Sequence, residues 1–289
     1  MLQFIRHYLL ALQFFSRIPV TGRLADWVGF SPAMLRASAA HFPGVGWLVG
    51  GVVAAITWGL LRLLPPSPFA PLVAAVLGTV LSVLMTGAFH EDGLADVADG
   101  LGGTLDRSRA LEIMKDSRVG AFGAIAVVLA LLAKVALLAL LGSLNATLLI
   151  VAIFIAHVGS RTWPLLTIRL LAHVGDVAGS KSKPLADQIS LKSLLVAFLW
   201  CFMAVALVFI AWGAMVLVVS GLAWEALAWW LAAGFLASGI AWAWMTRWFA
   251  RRLQGFTGDC LGAIQQVAEI AFYLGLALAW RSVIPGGGA

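Results

Sequence analysis

Residues 123–142 read GAIAVVLALLAKVALLALLG, a run of twenty residues in which Lys134 is the one charged side chain. An α-helix rises about 1.5 Å per residue, so this run is long enough to cross a hydrocarbon core of about 30 Å. Further apolar runs of spanning length lie at 46–64, 71–89, 145–163, 194–220, 226–246 and 264–280. The sequence therefore predicts an all-α, polytopic membrane protein, a helical bundle with about seven transmembrane helices.

The composition agrees with this prediction. Hydrophobic residues make up 62% of the 289 residues and charged residues 11%, whereas soluble domains have about 45–50% and about 25%. The first fifteen residues are also apolar, but Arg6, His7 and Arg17 bracket too short a core for a span, so we expect an N-terminal interfacial helix. Cys201 and Cys260 have neither disulfide nor zinc spacing. We find no dividing linker and expect residues 1–289 to form one integral membrane domain.

The distribution of basic residues predicts the orientation in the membrane. With seven spans, the segments 1–45, 90–122, 164–193 and 247–263 fall on one side, and together with Arg161 they contain sixteen of the nineteen Lys and Arg residues. Basic loops favour the cytoplasmic side, so we expect a cytoplasmic N-terminus and an active-site face formed by the last three of these segments. Topology and anionic lipid then account for the net charge of +6, which does not indicate nucleic-acid binding.

An acidic cluster follows the second predicted span. Residues 89–100 read FHEDGLADVADG, and on a helix Asp92, Asp96 and Asp99 stand at i, i+4 and i+7, within about 60° of one another. Carboxylates so close repel one another, so a cation should compensate them. Oxygen ligands without nearby Cys favour Mg²⁺, which combines a few carboxylates with water and substrate phosphates. We predict these three residues as metal ligands, with Glu91, about 100° off their face, as second choice. The alternative is a solvated acidic loop that caps a membrane helix.

Two basic residues later in the same segment suit a phosphate substrate. Lys115 and Arg118 are three residues apart and therefore adjacent on a helix surface. Beside a metal–carboxylate site, two cations would bind a diphosphate. Alternatively, they anchor the loop at the membrane and pair with Glu112 and Asp116.

Four candidates lie in other segments. Asp259 follows a glycine-rich turn and could be a metal ligand, a base or an N-cap. Lys181 lies in the basic segment 176–192, which could be a lid over a phosphate substrate or a connector. Arg161 lies near the end of the fourth span, where ionisable residues usually face the bundle or a cavity. Lys134, in mid-span, should pair with an acid that the sequence does not identify.

Five stretches carry a resemblance to a known family: 11–20 (ALQFFSRIPV), 42–46 (FPGVG), 86–100 (TGAFHEDGLADVADG), 111–120 (LEIMKDSRVG) and 257–263 (TGDCLGA). They resemble the cobalamin synthase family, the adenosylcobinamide-GDP ribazoletransferases, over almost the whole chain. The resemblance implies a Mg²⁺-dependent, multi-pass enzyme of the bacterial cytoplasmic (inner) membrane. Such an enzyme acts late in cobalamin (vitamin B12) biosynthesis. It joins adenosylcobinamide-GDP to α-ribazole, or to α-ribazole 5′-phosphate, and releases GMP.

Applied to this chain, the resemblance gives the candidate residues roles. Asp92, Asp96 and Asp99 would hold Mg²⁺ on the diphosphate, and His90 or Asp259 would be the catalytic base. Four basic residues would contact substrate: Lys115, Arg118, Arg161 and Lys181. The possible protein partners are a second copy of the chain and other enzymes of cobalamin assembly.

Two other functions are weighed against this one. Phosphatidyltransferases that use CDP-alcohols have a DGxxAR signature, but residues 92–96 read DGLAD and lack the Arg. In a cation transporter the acids would bind the transported ion, although transporter sites usually lie near the membrane midplane on broken helices. The cluster here is predicted at the end of a helix.

Overall fold

The computed structural model describes residues 2–175, 188–216 and 224–283, and these ranges are predominantly helical. A 3₁₀ turn at Ala39–His41 joins the third helix to the fourth. The helices are α1 (Leu2–Phe15), α2 (Gly22–Val28), α3 (Pro32–Ser38), α4 (Phe42–Leu63), α5 (Ala70–Thr86), α6 (Phe89–Gly103), α7 (Arg107–Ile113), α8 (Ala121–Leu144), α9 (Ala146–Leu170), α10 (Leu191–Val216), α11 (Trp224–Arg252) and α12 (Gly258–Val283).

The predicted spans are confirmed as long apolar helices. Within the described ranges, six segments are long and apolar enough to cross a membrane, namely α3 with α4 and each helix from α8 to α12. Helices α5 and α6 pass the same test only together, and an 88° bend separates them. Counted as one crossing, this pair brings the number to seven, which agrees with the sequence prediction.

The bend explains why the second span ends earlier than predicted. The apolar run continues to residue 89, but α5 stops at Thr86 because Gly87 and Ala88 both have left-handed backbone conformations (φ 67° and 58°). A side chain at Gly87 would overlap Arg17, whose N–H donates to the carbonyl oxygen of Met85 (2.7 Å). We therefore regard α5 as the crossing part of the pair and α6, which carries the acids, as an arm outside the membrane-spanning segments.

Helix α6 packs across the first turns of α8 and α12. Its backbone lies against that of α12, because a Cβ on Gly93 would come within 2.7 Å of the Asp259 carbonyl oxygen. A Cβ on Gly262 would likewise lie 3.3 Å from the His90 backbone. No side chain separates the two helices at these points, so the position of α6 directly sets the position of its side chains relative to α12.

Two arginines fasten the segments at this end of the bundle. Arg252, at the end of α11, donates to the carbonyl oxygen of Thr104 just beyond α6 (2.6 Å). Arg107, at the start of α7, donates to the carbonyl oxygen of Leu253 just beyond α11 (2.7 Å). Cations at helix C-termini satisfy carbonyl groups that lack helical partners. The ends of α6 and α11 are therefore held together.

The central helix of the bundle is α9, whereas α8 and α10 carry much of the exposed apolar surface. Most residues of α9 are buried against neighbouring helices. By contrast, Leu129, Leu132, Phe202 and Ile210 are all at least 60% exposed. Exposed apolar side chains in such numbers are typical of a lipid-facing surface.

Candidate functional site

Three carboxylates lie close together at the end of the bundle where α6 meets α12. Asp92 is exposed and Asp96 is partly buried on α6, and Asp259 is partly buried in the first turn of α12. Burial raises the pKa of Asp96 to about 7, and the negative charges of Asp259, Asp92 and Asp99 add to the effect. We call Asp92, Asp96 and Asp259 the acid face.

Asp99 was predicted as the third metal ligand, but in the structure its carboxylate is hydrogen-bonded to the backbone at the start of α8. Its two oxygens accept hydrogen bonds from the backbone N–H groups of Gly120 (2.7 Å) and Gly123 (2.8 Å). These groups belong to the first turn of α8, where N–H groups have no helical partner. Asp99 therefore caps α8, and a side chain at either glycine would overlap its carboxylate. The predicted stripe of three acids divides into two on the acid face and one cap.

Asp259 is not the N-cap of α12, which was one of the three roles that the sequence left open for it. The hydroxyl oxygen of Thr257 accepts the N–H of Cys260 (3.4 Å), which makes Thr257 the N-cap of α12. The same hydroxyl donates to Asp259 Oδ2 at 3.2 Å.

The acid face fits a metal ion that is shared with a substrate. Within the described residues, the structure does not assemble three His, Cys, Asp or Glu side chains into a preformed metal-binding group. Mg²⁺ does not require one, since it usually takes one or two carboxylates and completes its coordination with water and phosphate oxygens. Hard carboxylate oxygens that repel one another are suitable donors. Asp92 and Asp96 would hold such an ion.

The predicted phosphate-binding cations lie on the surface beyond α7. Lys115 is exposed. Arg118 has 87% of its side chain exposed, and its Nε donates to Asp116 Oδ1 (3.0 Å), which is the pairing given by the alternative interpretation. Arg118 also lines an open groove together with Asp99, Gly120 and Phe122. The groove begins one helical turn beyond Asp96.

His90, the other candidate base, is directed away from the acid face. Two residues correspond to about 200° on a helix, so His90 and Asp92 lie on nearly opposite sides of α6. The His90 ring is 1% exposed and stacks on Phe42 with a centroid distance of 5.7 Å. It lines an apolar pocket with Phe14, Phe89 and Leu261. The structure brings Asp259, and not His90, to Asp92 and Asp96.

Arg161 and Lys134 belong to a polar network inside the bundle. Arg161 is 1% exposed, donates to the carbonyl oxygen of His157 (2.8 Å) and lies over the Phe42 ring. Lys134 pairs with Glu269 of α12 (Nζ–Oε1 2.7 Å), the partner that the sequence did not identify. The structure therefore places Arg161 in the interior and not on the acid face. Lys181 lies outside the described residues.

Sequence reasoning missed the polar side chains of α12. Gln265, Glu269 and Tyr273 are spaced by four, so they share one face of a helix that is otherwise apolar. Tyr273 OH and Gln265 Nε2 donate to the two carboxylate oxygens of Glu269 (2.9 and 2.7 Å). Polar residues at this spacing within the predicted span 264–280 were the available signal.

Comparisons with known proteins agree on one family. The family described as cobalamin-5-phosphate synthase matches residues 7–277. An adenosylcobinamide-GDP ribazoletransferase from Albidiferax ferrireducens is 71% identical over 278 residues, which cover 96% of this chain and 99% of the relative. The enzymes of the same name from Polaromonas sp. and Vibrio cholerae are 61% and 40% identical, over 96% and 92% of this chain and 98% and 91% of the relatives. No solved structure matches the chain.

Proposed function

Since this chain belongs to the cobalamin-5-phosphate synthase family, we propose that it joins adenosylcobinamide-GDP to α-ribazole or its 5′-phosphate and releases GMP. The observation that carries the proposal at residue level is the acid face, where two helices distant in sequence bring Asp92 and Asp96 next to Asp259. A divalent cation bound between these carboxylates and a diphosphate substrate would offset the negative charge of both. Basic residues lie at this end of the bundle, among them Arg107 and Arg252. They favour an orientation in which the acid face lies on the cytoplasmic side of the bacterial inner membrane.

The acid face supplies two kinds of carboxylate to this reaction. Asp92 and Asp96 are the proposed Mg²⁺ ligands, and the ion would neutralise charge on the diphosphate oxygens when bound. Asp259 is the proposed base for two reasons. Thr257, and not Asp259, is the N-cap of α12, and the Asp259 carboxylate lies beside those of Asp92 and Asp96. The ribazole hydroxyl oxygen bonds to the phosphorus attached to cobinamide, Asp259 accepts the hydroxyl proton, and the bond from that phosphorus to the bridging oxygen breaks so that GMP leaves.

The groove beside α7 is the proposed place for the leaving nucleotide. Its lining includes Arg118 and Asp99, and Asp99 lies one helical turn beyond Asp96 of the acid face. Arg118 lines the groove and Lys115 is exposed in the same segment, and both are the proposed contacts of the GMP phosphate. A guanidinium that now pairs with Asp116 would exchange that carboxylate for phosphate oxygens.

A GMP-release assay on purified enzyme in lipid vesicles tests the proposal. Asp259→Asn should slow release by about 10²–10⁴-fold, the range of a lost general base. Asp92→Asn and Asp96→Asn should raise the Mg²⁺ concentration for half-maximal rate by on the order of 10-fold or more. The matched control is Glu112→Gln, which removes an exposed carboxylate paired with Arg109 and should leave the rate within about twofold.

Specific outcomes would refute each part. Absence of GMP release by the unchanged enzyme would refute the activity, and turnover of a CDP-alcohol instead would favour a phosphatidyltransferase. An undiminished rate without divalent cation, or with Asp92→Asn, would refute the metal assignment alone.

A further inference from the structure

We propose that Glu91 is a positioning residue, whose buried hydrogen bond to Gln266 fixes α6 on α12 and thereby sets Asp92 and Asp96 against Asp259. The inference rests on the proposed function for its catalytic consequence. Glu91 immediately precedes Asp92 in α6, yet Glu91 is 6% exposed whereas Asp92 is exposed. One residue along the helix separates a side chain directed into the bundle from one directed out of it.

The contact itself is a hydrogen bond between the two helices of the acid face. Gln266 Nε2 donates to Glu91 Oε1 at 3.0 Å, and Gln266 is 2% exposed. Gln266 lies about two turns after Asp259 on α12. Because the backbones of α6 and α12 are in contact at Gly93, a shift at residue 91 would move the Asp92 and Asp96 carboxylates relative to Asp259.

The far end of this contact is anchored deep in the bundle. The second amide hydrogen of Gln266 is donated to Gln265 Oε1 (3.0 Å), and Gln265 Nε2 donates to Glu269 (2.7 Å) and to Ser160 of α9 (3.0 Å). Glu269 is held by Lys134 of α8. Glu91 is therefore the outer end of a chain of hydrogen bonds that ends on a buried ion pair. Both hydrogens of the Gln266 amide are thus donated, one to Glu91 and one to Gln265, which fixes the orientation of this amide between α6 and the interior.

Basic side chains lie near Glu91 and Glu269 in the interior. Arg161 interacts electrostatically with both Glu269 and Glu91, and Lys134 pairs with Glu269. The hydrogen bond from Gln266 needs only an acceptor oxygen at residue 91, whereas a direct metal ligand would need the carboxylate, so substitution can separate the two roles.

The test compares three variants with one control. Glu91→Leu and Gln266→Leu both remove the hydrogen bond, whereas Glu91→Gln keeps an oxygen acceptor and removes the charge. The control is Thr246→Val, which removes another buried interhelical hydrogen bond, between the hydroxyls of Thr246 on α11 and Thr167 on α9 (2.9 Å), and leaves α6 unchanged.

The first readout is Mn²⁺ binding to the purified protein without substrate, followed by electron paramagnetic resonance. We expect binding to weaken by about 10-fold or more in Glu91→Leu and Gln266→Leu and by less than about threefold in Glu91→Gln and Thr246→Val, on the scale reported for residues that orient metal ligands. The turnover number should follow the same order, with the KM for ribazole little changed. If Glu91→Gln lost as much Mn²⁺ affinity as Glu91→Leu, Glu91 would be a direct ligand and the proposal would be wrong.

The second readout does not depend on metal or on turnover. Spin labels at positions 98 on α6 and 261 on α12, in a background without the native cysteines, report the distance between the two helices. The distribution should broaden in Glu91→Leu and Gln266→Leu and stay narrow in Glu91→Gln and Thr246→Val. An unchanged distribution in Glu91→Leu overturns the positioning role even if GMP release by the unchanged enzyme is normal. If the unchanged enzyme released no GMP but the distances still broadened only in Glu91→Leu and Gln266→Leu, the proposed function would be wrong and the positioning role would stand.

Discussion

Breaking the ion pair between Lys134 and Glu269 should be among the most destabilising changes in the interior of this protein. Both side chains are at most 2% exposed, and their charged atoms are 2.7 Å apart. At that separation two unit charges attract by about 6 kcal/mol for an effective dielectric constant of about 20. Desolvation cancels part of this attraction, and removing one partner of a buried pair typically costs about 3–5 kcal/mol.

The two single substitutions should differ. Lys134→Met leaves Glu269 with hydrogen bonds from Tyr273 and Gln265 and with Arg161 nearby, so we expect about 3 kcal/mol. Glu269→Gln leaves Lys134 and Arg161 both cationic in the same interior, so we expect the upper end of the range, about 5 kcal/mol. The double variant Lys134→Met/Glu269→Gln lacks the Lys134 cation that Glu269→Gln leaves unpaired. It should therefore be more stable than Glu269→Gln alone.

Equilibrium unfolding in detergent micelles, evaluated as a double-mutant cycle, measures these costs. Single variants within about 1 kcal/mol of the unchanged protein would show that the pair contributes no more than an exposed one. A double variant less stable than Glu269→Gln would show that the charge of Lys134 is not what makes the loss of Glu269 costly. Either result would refute the reasoning.

Three further predictions concern the acid face and its surroundings. Asp99→Ala should lower the free energy of unfolding by about 1–2 kcal/mol, because α8 loses its cap. Its Mn²⁺ affinity should fall less than that of Asp92→Asn. A larger loss of Mn²⁺ affinity in Asp99→Ala than in Asp92→Asn would show that Asp99 is a metal ligand. Asp96→Asn should raise the melting temperature at pH 8 without divalent cation but not at pH 4. The pKa of Asp96 is raised from 3.8 to about 7, so the folded state holds its proton longer and loses stability as pH rises through that window; an equal effect at both pH values would contradict this. Gly93→Ala should destabilise the protein by about 1–3 kcal/mol, since its Cβ would press on the backbone of Asp259; thermal unfolding unchanged from the wild type would show that the helices have room to separate.

The spanning helices could be predicted because each is specified by a local property, an apolar run of sufficient length. The acid-bearing helix was predicted for a similar reason, since Asp92 and Asp96 share a face by spacing alone. The end of the second span was not predicted correctly, because it depends on two residues with left-handed backbone, Gly87 and Ala88. Alanine rarely adopts that conformation, and nothing nearby in the sequence indicates it.

The roles of individual acids depended on contacts between distant segments. Asp99 looks like its two neighbours in the sequence, and only the start of α8, twenty-one residues later, identifies it as a cap. Glu91 is similar, because its burial follows from Gln266, 175 residues away. Helical spacing gives the direction of a side chain around its own axis, whereas tertiary packing decides what that side chain meets.

The position of α6 across the first turns of α8 and α12 has a consequence for the biosynthesis of this protein. Asp259 follows Asp96 by 163 residues, and the helix that carries it is the last one translated among those that form the acid face. A growing chain already inserted in the membrane therefore carries Asp92 and Asp96 for most of its synthesis without the carboxylate that completes their surroundings. On the proposed assignment, the acid face is complete only after α12 has been synthesised, so the order of translation delays the appearance of an active site until α12 packs against α6.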